Sequence, residues 1–432
     1  MDDLTRAVLA RVDPRELIEL ASDLIRIPSF KTEESAVARF LETFFRERGY
    51  RVDLQEIEPG RFQTIATLPG TGGGASLMLN GHTDINALTR RWRRDPWTPS
   101  LEDDRLYGHG VQNMKGGLAS IIMTAEAVRR SGIRLAGDLV VACVAGETQG
   151  GEGTHYLMQS GLRTDAAVVA EPFGADNLVT VHSGIVHMAI HAFGVTGHIG
   201  RLEGTVNAVQ KMTRIVEALE RVEFRYTPRP DLPAFPRLNV GSILGGRGQD
   251  YVLVEPPYVP DLCTILVDVH FVPGQTVEGI VADIRRALDP VAASDSDLRY
   301  EIEIPPPASF KGRRRLVMDP FDMPTDAPIV QAVARSYRAV TGQEPKAIGA
   351  VLPHSYSADD TCHLWKAGIP CLLYGPATNR GNADEDDACV LVSEMVTVTR
   401  VLAVTALDVC QRPPSELALA AASARQKRPS GA

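Results

Sequence analysis

Three short, continuous apolar runs in the first 170 residues each stop at a glycine or a carboxylate, and helical stretches separate them. Residues 76–80 run into Gly81, residues 138–144 lead to Gly146, and residues 166–170 lead to Glu171 and Pro172. Runs this short and this unbroken fit strands buried on both faces. Between the first two, residues 118–130 open after Gly116 and Gly117 and stop at Gly132, and ahead of all three, residues 17–25 and 36–45 carry the periodicity of amphipathic helices. Alternating strands and helices predict an α/β fold, a mostly parallel sheet with helices on both faces. In such sheets ligands bind beyond the carboxyl ends of the strands. The polar residues that follow the apolar runs lie there.

The pattern changes near Asn177. Residues 181–193 are strand-like and rich in histidine, with His187 and His191 on one face and His182 on the other. Residues 205–222 place Val206, Val209, Met212, Val216 and Leu219 on one helical stripe. Residues 262–271 read as a strand and 277–288 as a helix. These features predict a smaller α+β domain over residues 179–305, inserted into a larger one and closed by Pro305-Pro306-Pro307. The α/β pattern resumes with a helix at 329–340, a strand at 369–374 and a helix at 393–406. The larger domain is thus expected over 1–178 and 306–410, and the Ala-, Ser- and Arg-rich residues 411–432 as a loosely held tail.

Composition narrows the function classes. In 432 residues, 45 Lys and Arg face 54 Asp and Glu, a net charge of −9 that argues against a nucleic-acid binder. No apolar run approaches the roughly 20 residues that span a bilayer. The start, Met1-Asp2-Asp3-Leu4, has no basic region followed by an apolar one, so no secretory signal is expected. Six scattered cysteines without a CxxC pair predict reduced thiols in a cytoplasmic protein and no cysteine zinc cluster.

Four polar segments carry the chemistry. In Gly81-His82-Thr83-Asp84, a histidine at a strand end is a candidate metal ligand, and Asp84 a candidate partner for its other ring nitrogen. Taken alone, such a pair is more often an ordinary loop histidine. In Tyr107-Gly108-His109-Gly110-Val111-Gln112-Asn113-Met114-Lys115-Gly116-Gly117, the glycines let the backbone approach a ligand before a helix begins. In Gly146-Glu147-Thr148-Gln149-Gly150-Gly151, Glu147 is a candidate general base. In Ala170-Glu171-Pro172, the carboxylate is a candidate cation ligand.

In this order, with Gly197-His198 in the inserted block and Gly368-Ile369-Pro370 near the end, the segments resemble the co-catalytic zinc aminoacylase and exopeptidase family. That family includes acetylornithine deacetylase, succinyl-diaminopimelate desuccinylase and glutamate carboxypeptidase. The resemblance implies a metal-binding domain interrupted by a lid that mediates dimerisation. It also implies two metals about 3.5–4 Å apart. His82 and Glu171 match the ligands of one metal. The bridging aspartate falls at Asn113, and the second glutamate of a Glu-Glu pair falls at Thr148. The histidine expected after the last Gly-Pro is absent, since none follows His363.

Ligands exclusive to one metal are therefore kept and those exclusive to the other lost. We expect one divalent cation per chain, Mn²⁺ or Zn²⁺, on His82, Asn113 and Glu171, with Mn²⁺ favoured by the oxygen-rich set. Water activated at that cation would attack a carbon bonded to nitrogen, with Glu147 as base and Asp84 beside it. His198, reaching in from a partner lid as in the family, would steady the developing charge. With one electrophile missing, a substrate that carries its own electron sink is favoured. The pattern is similar to that of a divergent family member that removes ammonia from the nitro-substituted aromatic amine 5-nitroanthranilate. A deacylase or dipeptidase acting on a small N-acyl amino acid, and a non-catalytic relative that only binds a ligand, are the alternatives. His109, His354, Tyr356 and Arg380 are the candidate contacts to a small anionic substrate. Arg90, Arg91, Arg93 and Arg94 read instead as a solvated loop. No membrane or nucleic-acid partner is expected, and a homodimer through the lid is.

Overall fold

The computed structural model describes residues 2–88, 92–252, 257–310, 313–377 and 388–419. The chain divides into two compact units, one built from residues up to 182, 321–355 and 359 onward, the other from 183–320 with 356–358.

The larger unit is a mixed α/β structure around one sheet. Its strands are β1 (Arg51–Glu58), β2 (Arg61–Leu68), β3 (Leu77–His82), β4 (Leu139–Val144), β5 (Ala166–Val169), β6 (Asn177–Val179), β11 (Ala347–Gly349) and β12 (Cys371–Leu373), in the order β1-β2-β4-β3-β5-β12-β6-β11. The numbers between belong to the smaller unit, whose strands are β7 (Gly184–Phe193), β8 (Arg237–Gly246), β9 (Leu262–Phe271) and β10 (Arg299–Glu303). The centre of the large sheet, β4-β3-β5-β12, is parallel. Every residue of β3, β4 and β5 is buried, as the unbroken apolar runs require. The helix Gly116–Ser131 is buried from Gly116 through Val128, so its apolar character runs around it rather than along a stripe. It packs on the helix Val392–Cys410, where Ser120 and Thr124 donate hydrogen bonds to the carbonyls of Met395 and Thr399.

In the smaller unit the strands form an antiparallel sheet in the order β8-β9-β7-β10. The helices Ala208–Leu219 and Val277–Ala293 cover one face, packing Met212, Ile215, Ile280 and Ile284 on Val186, Met188, Val267 and Val269. Alternation leaves His187, His191, Asp268 and His270 on the opposite face.

The structure departs from the sequence reading in three places. The smaller unit continues past Pro305-Pro306-Pro307 to Pro320, because Met318 pairs with Ile185 at the start of β7. The strand expected over 181–193 breaks at Ser183, so His182 belongs to the larger unit, where its Nε2 meets Thr361 Oγ1 at 2.8 Å. The hairpin β1–β2 and strands β8 and β10 were not foreseen. β1 and β8 are half-exposed and interrupted by bulges at Glu56/Glu58 and at Val240/Ser242, β10 is a short, half-exposed edge strand, and β2 is almost wholly buried although Arg61, Gln63, Thr64 and Thr67 make it polar. Of the expected tail, residues 420–432 lie outside the described residues.

Candidate metal centre

The register of the parallel strands assembles the site. His82 ends β3 opposite Val144, the last residue of β4, and Asn80 pairs with Val169, the last residue of β5. The segments leaving β4 and β5, with Glu147 and Glu171, therefore start beside His82. Asn113 comes from the other side, in a single wide turn, Val111–Lys115, that precedes the buried helix. The double glycine after it has a steric cause, since a Cβ on Gly117 would stand 2.2 Å from the carbonyl oxygen of Ala170. Two residues upstream of that glycine, the buried Lys115 donates to the carbonyls of Leu24 and Ile27, both at 2.7 Å. Burial brings its ammonium pKa down to about 7.

His82 is oriented through its backbone surroundings. Its Nδ1 lies 2.9 Å from the main-chain carbonyl of Asp84, whereas the Asp84 carboxylate is 3.6 Å away. A carbonyl only accepts, so Nδ1 carries the proton and the Nε2 lone pair faces the site. Asp84 thus fixes the tautomer, but with its backbone rather than the expected carboxylate. The carboxylate accepts instead from the Glu147 and Thr148 amides at 3.0 Å each and from the Thr148 hydroxyl at 2.5 Å. Burial pushes the Asp84 carboxyl up, but the His82 ring and these hydrogen bonds outweigh it and hold the group below its ordinary value. Thr148, at the position where the family resemblance calls for a second metal ligand, spends its hydroxyl on Asp84.

Nε2 of His82 stands 2.9 Å from Asn113 Oδ1 and 3.6 Å from Glu171 Oε1. Ligand bonds of about 2.1 Å separate neighbouring donor atoms by roughly 3.0 Å at right angles and 3.4 Å in a tetrahedron, so both separations from His82 Nε2 are close to those of atoms sharing a cation. Glu171 Oε1 is buried and has no hydrogen-bond partner. Burial, followed by the charges of Glu147, Asp359, Asp360 and Asp84, pushes its carboxyl well above the ordinary range. Asp360 is raised in the same way, by burial and then by Glu147, Asp359 and Asp84. A cation relieves this accumulation of buried negative charge. Among the described residues no three His, Cys, Asp or Glu side chains converge on one metal position. The set here is two such residues and an amide.

The remaining candidates are distributed differently. His109 is buried between Trp92 and Trp97, with ring centroids 5.2 and 5.5 Å away and Nε2 on the Asn86 carbonyl, so it packs in an aromatic cluster. His354 lies against Phe173, two residues after Glu171, at 5.0 Å, and burial lowers its pKa. Tyr356 and His198 belong to the smaller unit. The Tyr356 hydroxyl donates to the Pro233 carbonyl at 2.8 Å and its ring stacks on Phe235. The hydroxyl proton is thus used within the smaller unit, while the oxygen keeps its capacity to accept. His198 is exposed, and its Nδ1 accepts from the Gly200 amide at 3.0 Å, which leaves a proton on Nε2. Arg380 lies outside the described residues, as do Arg90, Arg91 and residues 381–387. Sequence reasoning missed Lys115 and Arg61, and gave the pair Asp359–Asp360 no part in the charge around Glu171. The signal was there for Lys115, a lysine in an otherwise apolar helix start.

The chain is similar to known proteins over nearly its whole length. The chain is 27% identical over 428 residues to an N-formyl-4-amino-5-aminomethyl-2-methylpyrimidine deformylase of Halalkalibacterium halodurans, covering 91% of this chain and 95% of the relative. It is 28% identical over 412 residues to an acetylornithine deacetylase of Edwardsiella ictaluri, covering 91% and 98%. Its fold matches that of the di-peptidase Dug1p from Saccharomyces cerevisiae with a TM-score of 0.75, at 14% identity, over 95% of this chain and 99% of the other. Residues 78–408 match the model of peptidase family M20/M25/M40, so the chain belongs to that family and is a metal-dependent hydrolase of carbon–nitrogen bonds.

Proposed function

We propose that this hydrolase works with one divalent cation per chain, Mn²⁺ or Zn²⁺, held by His82 Nε2, Asn113 Oδ1 and Glu171. Its reaction is the hydrolytic deamination of a small anionic aromatic amine such as 5-nitroanthranilate. The observation that carries the reading is the donor set itself. A neutral amide stands where a bridging carboxylate is needed, and Thr148 is committed to Asp84. When bound, the metal supplies an electrophile that acidifies water and polarises the group under attack.

The chain's own residues do the rest. Glu147 takes a proton from the attacking water, whose oxygen bonds to the ring carbon, and passes it to the nitrogen as the carbon–nitrogen bond breaks and ammonia leaves. Asp84 fixes the backbone of the turn that presents Glu147. A nitro-substituted ring accommodates the added electron pair, which a single metal otherwise leaves underserved. The Phe173–His354 ring pair, whose Phe173 follows Glu171 by two residues, supports an aromatic substrate.

A homodimer through the smaller unit belongs to the same reading. Val195, Ile199, Leu202 and Ile243 are exposed apolar residues there, and β8 is an edge strand with Ile243 on it. His198, with its Nε2 proton outward, would act from the partner subunit on the negative charge that develops during addition.

A second reading, an amide hydrolase that releases formate or another small acyl group, is favoured by the deformylase and deacetylase relatives. A panel of nitroaminobenzoates, N-formyl aminopyrimidines and N-acyl amino acids, assayed separately for ammonia and for carboxylate release, distinguishes them. Ammonia from the nitroaminobenzoates supports the first reading, carboxylate release assigns the second, and no turnover on any of them overturns both.

A further inference from the structure

Arg61, the first residue of β2, is buried, and every N–H of its guanidinium has an acceptor. Nε and Nη2 grip the two oxygens of Glu34 at 2.9 and 2.6 Å. Nη2 also donates to Gln149 Oε1 at 2.9 Å, and Nη1 to Glu152 Oε2 at 2.7 Å and Glu58 Oε2 at 3.1 Å. Gln149 closes the single turn Glu147–Gln149, and Glu152 opens the next helix. The turn begins at Gly146, with φ +71°, where a Cβ would stand 2.6 Å from Arg61 Nη2, so the guanidinium lies directly against the backbone that leads into Glu147.

A buried ion-pair cluster is a weak source of stability, because apolar side chains of the same volume serve as well. What it does supply is a fixed geometry. Two further glycines, Gly150 and Gly151, follow Gln149 with positive φ, and a glycine-rich turn has little conformational preference of its own. Asp84 holds one end of it through the Glu147 and Thr148 amides. Arg61 holds the other through the Gln149 and Glu152 side chains.

We propose that Arg61 is a positioning residue for Glu147, acting through Gln149 and Glu152 to fix the direction of the general base. The inference rests on the reading of Glu147 as that base. A lysine at 61 cannot replace it, since one ammonium does not reproduce the fork that serves Glu34, Gln149 and Glu152 together.

The test uses Q149M, Q149E and R61K in the full chain, with Q149M serving where R61K fails to fold. In metal-free protein, hydrogen exchange over residues 146–152 is expected to be about tenfold faster in Q149M and wild-type in Q149E, which keeps the acceptor. In metal-loaded protein, Q149M should lower kcat about tenfold with KM and cation content unchanged, yet change kcat less than about twofold in an E147Q background. Wild-type exchange in Q149M, or an equal loss of kcat in both backgrounds, overturns the positioning role while leaving the base intact. An E147Q variant that turns over normally overturns the base, and the positioning role with it.

Discussion

Replacing Glu147 by Gln tests the chemistry with little disturbance to the fold. The hydrogen bond from residue 147 to Asp84 is made by the backbone amide at 3.0 Å, so an isosteric side chain leaves it in place. What changes is one proton acceptor and one negative charge. Losing a positioned general base costs about 10²–10⁴ in rate, roughly 2.7–5.4 kcal/mol of barrier. The charge has a second consequence. After burial, Glu147 is the largest influence raising the Glu171 carboxyl, so neutralising it relieves repulsion and brings Glu171 down. On that count the melting temperature should be unchanged or higher. The cation, held by other residues, stays. The assay is turnover on the active member of the substrate panel, with elemental analysis and a thermal melt on the same preparation. A variant within threefold of wild-type turnover refutes the role of Glu147. One that loses its metal refutes the separation of base from ligands.

Three further outcomes follow from the same geometry. His82→Ala removes the nitrogen around which the donor atoms gather, so the purified variant should hold less than about a tenth of the wild-type metal by elemental analysis. Cation binding to the apo protein should release a proton, because the Glu171 carboxyl is raised when the site is empty and must ionise to ligate, so affinity should rise with pH in calorimetric titrations. Lys115 has its folded pKa lowered to about 7 against an unfolded value of 10.5, so between those values the unfolded chain binds the extra proton and this group's destabilisation fades as pH rises. Denaturant unfolding with chelator should show the stability of wild type gaining on that of Lys115→Met from pH 7 to 9, by about 1.4 kcal/mol per pH unit at most.

The site was legible where the chemistry sits on the ends of buried strands. The unbroken apolar runs before His82, Glu147 and Glu171 fix both the strands and the side on which those residues emerge. The buried helix Gly116–Ser131 and β9 were equally plain from pattern. What the pattern does not carry is which atom of a residue is used. Asp84 orients His82 with its carbonyl and spends its carboxylate on the Glu147 turn, and no spacing rule separates the two. His109 reads as a candidate substrate contact in a Gly-His-Gly turn, and the tryptophans that enclose it come from a different loop that the spacing does not reveal. Arg61 was invisible for a related reason. Its four acceptors come from three stretches of the chain, around Glu34, Glu58 and Gln149–Glu152, and it begins a buried strand too polar to stand out as one.

The claim that organises the rest is that half of a two-metal centre has been kept. Anomalous scattering at the Mn and Zn edges, on crystals grown with each metal in excess, measures it directly. One peak per chain is expected, within bonding distance of His82 Nε2, Asn113 Oδ1 and Glu171. Two peaks about 3.5–4 Å apart would contradict it, as would none.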